Sequence, residues 1–290
     1  ELPSLNKLGM AYRYMTRGHF ACLVALLLFV VGSEALLTDY EYSILSDLFT
    51  SANGADWTWA ANSTGAEWSF SGTYSDPCGD SWQGVTCSDS AAACSSTTTT
   101  CNLIGLALPG YNLNGSLPTS LAQLNYSQTL DLSSNAIQGS LPAFGSVALD
   151  ALLSLEVSSN ELTSSLPSSL CAVPSLRQLN AQQNSLGGSL PACLGDALTQ
   201  LQVLNVGFNA LAGPNPLAAP GFPALVYYNA ESNALTGPVL PTSGSTPMFS
   251  SSLQHLLVNS NKLSGSFPTQ LGSLTALLAL DVSSNSLNGT

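Results

Sequence analysis

Positive charge is what this sequence has least of. Lys and Arg number five in 290 residues, His two, and all charged side chains together make up 8%. Three of the five cations, Lys7, Arg13 and Arg17, stand before residue 36, so only Arg177 and Lys262 face the fifteen Asp and Glu of the remainder. A surface of that sign repels phosphate, which excludes nucleic acid as a partner and leaves an anionic membrane surface no attraction. Scarce charge beside 45% hydrophobic residues also excludes a disordered chain, which is typically poor in Leu and rich in charge. The polar surface must then be built from Ser, Thr, Asn and Gln. Long apolar runs are scarce too. FACLVALLLFVV, from Phe20 to Val31, is twelve residues, short of the ~20 a membrane-spanning helix needs.

That run has a different reading. Met10 is followed by Arg13 and Arg17, then by the apolar run, then by GSEA with Ser33 and Ala35 where a signal peptidase reads small residues. A basic start, a short apolar segment and a small-residue exit make a secretory signal peptide over 10–35, with 1–9 upstream of the start. The mature chain then begins near Leu36 and enters the secretory pathway, destined for the extracellular space or an ectodomain on the plasma membrane. Cys22 leaves with the signal. Cys78, Cys87, Cys94, Cys101, Cys171 and Cys193 remain, an even number that reads as three disulfides in an oxidising compartment. With a single mature histidine, His255, and no CxxC, no metal site and no cofactor are expected, and no Ser-His-Asp arrangement is supported.

What the sequence does have is one phrase, rewritten. LDLSSNAIQG at 130–139 returns as LEVSSNELTS at 155–164 and LDVSSNSLNG at 280–289. Aligned on its asparagine, the phrase falls at Asn135, Asn160, Asn184, Asn209, Asn233, Asn261 and Asn285, with Tyr111 in that slot in an earlier copy. The spacing is 24 or 25 residues except for one of 28, where the Ser/Thr-rich insert PTSGSTPMFSSS intervenes. A fixed period in this range means a solenoid. In LxLxxNxLxGxLP the two leading leucines point inward from a short strand, the Asn satisfies backbone groups in a turn, the next Leu returns to the core, and Gly and Pro shape and end the segment. No coil buries its own leucines, so the core forms between stacked coils.

This frame resembles the plant-type extracellular leucine-rich repeats. LxGxLP is their distinguishing half, present at Gly115–Pro118, Gly139–Pro142 and Gly188–Pro191, and at Gly265–Pro268 with Phe267 for Leu. Departures are Ser164 for Gly, GPNP at 213–216, and the longer GPVLP at 237–241. The resemblance implies an α/β solenoid: a right-handed, curved array with a parallel concave β-sheet, a second short sheet beside it, and an N-terminal disulfide cap. The cap is expected over 36–101 and about eight repeats over 102–290. Its signature is DPCGDSWQGVTC, with Cys78, Trp82, Gly84, Val85 and Cys87 on the family's positions, preceded by an amphipathic helix in ILSDLFTSANGADW. All four tryptophans, Trp57, Trp59, Trp68 and Trp82, fall in this cap, where they would cover the open end of the first coil. Cys78 is paired with Cys87, and Cys94 with Cys101 across SSTTTT, with Cys87–Cys101 as the alternative. Cys171 and Cys193 stand at matching points of consecutive coils on the convex side, within ~5 Å of each other if coils stack at strand spacing. Sequons at Asn62, Asn114, Asn125 and Asn288 are candidate glycan sites.

Function follows from the outward residues of the sheet. The column between the two leucines reads Ala107, Asp131, Glu156, Asn180, Asn205, Asn229, Leu257, Asp281. Asp131 and Glu156 would stand side by side at ~5 Å, near the carboxyl separation of a retaining glycosidase. An open sheet with no pocket and no aromatic platform beside them argues against catalysis, and a solvated acidic patch or weak cation site is the plainer reading. The outward residues are too irregular to match an ice lattice. The expectation is a binding scaffold. One group differs from the Ser, Gln, Asn and Gly around it: Val203, Tyr227 and His255 on adjacent strands, with Leu257, Asn229 and Asn205 two residues on. Exposed apolar and aromatic groups rimmed by amides are what an interface hot spot uses. These six are the candidate ligand-binding residues, with Phe208 set ~16 Å away. By resemblance the partner is a protein, peptide or glycan, with a co-receptor. The chain would be the ectodomain of a receptor-like protein or kinase, or a free secreted inhibitor similar to the polygalacturonase-inhibiting proteins. The sequence stops at Gly289-Thr290 before the expected LP. It therefore reads as a fragment, with any transmembrane helix, kinase domain or closing coil, and any membrane attachment, in sequence beyond it.

Overall fold

The computed structural model of the chain describes residues 39–61, 65–70, 76–94, 101–144, 149–219, 221–241 and 252–289. The expected upstream segment and signal peptide, the Asn62 sequon, the SSTTTT loop and most of the PTSGSTPMFSSS insert lie outside them. Among the described residues no helix is long and apolar enough to cross a membrane.

Each copy of the phrase forms one coil. Its LxL becomes a three-residue strand, and successive strands pair in parallel without a crossover: Thr129–Asp131, Ser154–Glu156, Gln178–Asn180, Val203–Asn205, Tyr227–Asn229, His255–Leu257 and Ala279–Asp281 follow Leu103–Ala107 in a nine-stranded sheet. The register is the one the aligned asparagines require, with Leu130, Leu155, Leu179, Leu204, Tyr228, Leu256 and Leu280 in one row. All but Leu280 are buried, as are Leu132, Val157, Ala181, Val206 and Val258 two places on. At ~1.5–3 kcal/mol per buried leucine, these two rows are the main source of stability.

The asparagine does more than turn the chain. Asn160 donates its amide to Val157 and Ser158 carbonyls at 3.2 Å within its own coil. It also donates to Leu132 O at 2.9 Å, and its Oδ1 accepts the Ile137 N–H at 3.0 Å, both in the coil before. Asn184, Asn209, Asn233, Asn261 and Asn285 make the same contacts. Each therefore stitches two coils as well as closing a bend. The residue before it is left-handed in every coil, at Ser134, Ser159, Gln183, Phe208, Ser232, Ser260 and Ser284, with φ between 52° and 58°.

The second sheet is present in two pieces, Asn114–Ser116 with Ala136–Gly139 and Glu161–Leu162, and Ala212–Pro214 with Ala234–Gly237, Lys262–Ser266 and Ser286–Asn288. The gap falls at the coil holding Gly187 and Gly188. Backbone bonds from Ser185 and Gly187 to the coil before, and from Ala210 and Ala212 to this one, still bridge it. On the convex side, Cys171 lies in the short helix Ser168–Ala172 and Cys193 caps the start of the helix Leu194–Ala197, and the two are joined with Cα atoms 6.0 Å apart.

The cap closes the first coil as its composition implies. The helix runs Asp39–Ser51, starting five residues before the expected segment. Trp57, Trp68 and Trp82 are buried in a continuous set of ring contacts with Tyr42, Phe49 and Phe70. Tyr111, in the vacant asparagine slot, meets Trp59 at 5.8 Å and directs its hydroxyl to Gln83. Val85–Cys87 adds an antiparallel strand to the sheet edge. Gly84 beside it has φ +76°, and a Cβ there would come 2.3 Å from Ala107 O, so the cap signature needs glycine at that place. The disulfides are Cys78–Cys87 and Cys94–Cys101, and the Cys87–Cys101 alternative is not formed.

Candidate functional site

The concave sheet puts three outward columns in register. The residue before the buried Leu row runs Gly105, Thr129, Ser154, Gln178, Val203, Tyr227, His255, Ala279. Val203, Tyr227 and His255 are thus direct neighbours, each partly exposed, and the Tyr227 and His255 rings lie 5.4 Å apart at 42°. In the next outward column Asn205, Asn229 and Leu257 are likewise adjacent. Strand register thus brings all six candidate residues into one patch.

The amides do not stand as an open rim. Asn205 and Asn229 are only 7% and 3% exposed. Asn205 donates to Gln182 Oε1 at 2.8 Å, and Asn229 to Glu231 Oε1 at 3.0 Å while accepting the Glu231 N–H at 2.9 Å. They form the floor of the patch, and the groups reaching solvent are Val203, Tyr227, His255 and Leu257. Phe208 is 45% exposed, but it lies past the end of its strand in the left-handed turn rather than along the strand as the spacing suggested.

Two carboxylates border this patch, and pattern reading did not single them out. Glu231, in the third outward column, also accepts from Asn259 Nδ2 at 3.4 Å. Asp281 is in register with Leu257. Ser283 donates its hydroxyl to Asp281 at 2.6 Å and its N–H at 3.0 Å, which holds this carboxyl below the usual range. Asp131 and Glu156 are neighbours in register, three and two strands from Val203. Burial pushes the Glu156 carboxyl up, opposed by hydrogen bonds from Gln178 and Asn180, with Asp131 adding a smaller push upward.

The Leucine Rich Repeat family matches residues 252–274. Over 67 residues the chain is 37% identical to Protein STRUBBELIG of Arabidopsis thaliana, covering 23% of this chain and 7% of that protein. The leucine-rich-repeat ectodomain of the plant membrane receptor kinase GASSHO1/SCHENGEN3 from Arabidopsis thaliana, solved in complex with CASPARIAN STRIP INTEGRITY FACTOR 2, superposes over 85% of this chain and 30% of its own, with TM-score 0.62 and 25% identity. The Arabidopsis receptor kinase HAESA, solved with the peptide hormone IDA and the co-receptor SERK1, superposes over 63% of this chain and 30% of its own, with TM-score 0.57 and 28% identity. The chain shares the fold of these plant leucine-rich-repeat receptor structures, and the Leucine Rich Repeat match falls within its coils.

The chain spans less than a tenth of that curated relative's length. Its sequons occupy distinct places. Asn114 and Asn288 are exposed on second-sheet strands, each at the third position past the asparagine slot. Asn125 is partly buried, and its Oδ1 has no hydrogen-bond partner. At the far end Leu280 is 40% exposed, where Leu256 one coil earlier is fully buried.

Proposed function

We propose that this protein works by binding, as the extracellular ligand-recognition part of a cell-surface receptor that holds a peptide or protein partner on its concave sheet. The observation that carries the reading is the Tyr227–His255 ring pair, flanked by Val203 and Leu257 on a sheet surfaced elsewhere mainly by polar and acidic side chains. Aromatic groups over a rigid floor contribute binding area with little conformational entropy to lose, whereas exposed Ser, Gln and Asn contribute little. Asn205 and Asn229, tied down beneath, are positioning residues. The solved structures named above are plant receptor kinases, one of them as its ectodomain, in complex with a peptide hormone or a factor, which supports this class of partner. The paired carboxylates Asp131 and Glu156 stand in register on an open sheet, with Glu156 partly buried and held by hydrogen bonds from Gln178 and Asn180, an arrangement suited to an acidic surface rather than to general acid–base chemistry.

A photoreactive phenylalanine analogue tests the placement. Installed at Tyr227, it should crosslink a partner from the protein's own extracellular fluid or membrane fraction, and installed at Thr236 on the second sheet it should not. Crosslinking at Thr236 alone would move the site to the flank. A partner whose association with the chain requires intact membranes supports the receptor form. The same partner captured by chain found free in the extracellular fluid supports the secreted-inhibitor form instead.

A further inference from the structure

The concave face carries charge of one sign. Across its three outward columns and the turn that follows them, the ionic side chains are Asp131, Glu156, Glu231 and Asp281. Neither Arg177 nor Lys262 is among them: Arg177 precedes the first residue of its strand, and Lys262 opens a strand of the second sheet. Two of the four carboxylates border the apolar patch. Glu231 lies two residues past Asn229 and is held by two asparagine amides, which orient its charge without cancelling it. Asp281 stands beside Leu257 on the next strand, and its hydrogen bonds from Ser283 favour the ionised form. The other two, Asp131 and Glu156, continue the same sign toward the cap end of the sheet.

We infer that the concave face takes an extended cationic polypeptide segment, rich in Lys or Arg, with one bulky apolar side chain seated on Tyr227, His255 and Leu257. This rests on the binding reading above and adds the chemistry of the partner. The geometry sets its length. Asp131 and Asp281 are six strand steps apart, ~29 Å at strand spacing, which ~9 extended residues span. The charge sets its sign, since like charges facing one another across an interface are strongly disfavoured. A polyanionic glycan such as a polyuronate is excluded by the same argument. The apolar contact sets its register, because two rings stand side by side there with Val203 and Leu257 beside them.

The probe is a lysine-rich peptide with one central tryptophan, compared with counterparts in which every Lys is Glu or Gln, read by fluorescence anisotropy. The lysine peptide should bind most tightly and weaken in ~0.5 M salt, where the Debye length falls below ~5 Å. The isosteric double variant Glu231→Gln/Asp281→Asn keeps its hydrogen-bond acceptors and should lose about tenfold in affinity. A control, Asp150→Asn/Asp196→Asn, removes the same charge from exposed positions off the concave sheet and should change affinity less than about twofold. Equal losses in the two variants would mean attraction to the whole acidic molecule and would overturn the inference, as would tightest binding by the glutamine or glutamate peptide. If a non-cationic peptide binds best yet weakens in Tyr227→Ala/His255→Ala, the cationic partner is wrong and the concave site survives. If that aromatic variant changes no affinity, the concave site itself is wrong.

Discussion

Tyr228 occupies a leucine's place in the buried row, fully enclosed, and burial pushes its phenol far up. Its hydroxyl donates to Asn215 Oδ1 at 3.0 Å. Asn215 is itself the departure in GPNP, standing where LxGxLP has its last leucine, and it is 1% exposed. Its amide donates to Val239 O at 2.8 Å and Pro238 O at 3.2 Å, and its N–H to Thr236 O at 2.9 Å. Two polar intrusions into an apolar core thus satisfy one another. Tyr228→Phe keeps the ring and strands Asn215 Oδ1, which should cost ~1–3 kcal/mol, the desolvation of one unpaired buried acceptor. Asn215→Leu strands the Tyr228 hydroxyl together with the two carbonyls and should cost more. The double variant Asn215→Leu/Tyr228→Phe should fall short of the sum of the singles by ~1 kcal/mol, because the hydroxyl is no longer there to be orphaned. Urea unfolding of all four proteins, with hydrogen exchange on 215–240 to confirm that the same coils open, measures the cycle. A Tyr228→Phe protein within ~0.3 kcal/mol of the parent, or strict additivity, would show that this pair is not a coupled network.

Peptide mapping under non-reducing conditions should find Cys171 joined to Cys193, and replacing both with Ser should cost ~2–4 kcal/mol; recovery of both as free thiols would contradict the structure. Glu156 has its folded pKa raised, chiefly by burial, so its charge opposes folding at neutral pH, and that penalty is relieved as pH falls through the folded pKa toward the ordinary carboxylate value. Glu156→Gln should therefore be more stable than the parent near pH 7, with the difference shrinking over that acid window in thermal melts; a constant or widening gap would rule the assignment out. Glycan mapping of secreted material should find Asn114 and Asn288 more fully occupied than Asn125, since both are exposed on one flank while Asn125 is partly buried; the reverse order would show that occupancy does not follow this exposure.

The repeat made most of the fold legible before any coordinates. A leucine every coil, in phase with one asparagine, leaves little freedom once coils stack, and the rows of the concave sheet can be written from the alignment alone. The cap was legible through the resemblance of DPCGDSWQGVTC to the family's signature, and the structure supplies the reason for its glycine, a close approach of two backbones at Gly84. What the alignment could not show is direction and depth. Asn205 and Asn229 read as exposed amides because outward columns face solvent on average, yet Gln182 and Glu231 fold over them and take their hydrogen bonds. Glu231 has no signal in the column between the leucines, because its carboxylate reaches back from the next outward column to Asn229. Tyr228 and Asn215 lie thirteen residues apart, and each looks like a lapse from the frame; only packing shows that each exists for the other.

The central claim is that the ring pair on the concave sheet is where the partner binds. The most direct measurement is the affinity of a crosslink-identified partner for the parent, for Tyr227→Ala/His255→Ala, and for Gln138→Ala/Thr163→Ala on the exposed second-sheet flank. The account predicts a loss of about thirtyfold or more, ~2 kcal/mol, for the ring variant and none for the flank variant, with both proteins folded. An unchanged affinity in the ring variant, or a larger loss in the flank variant, would contradict it.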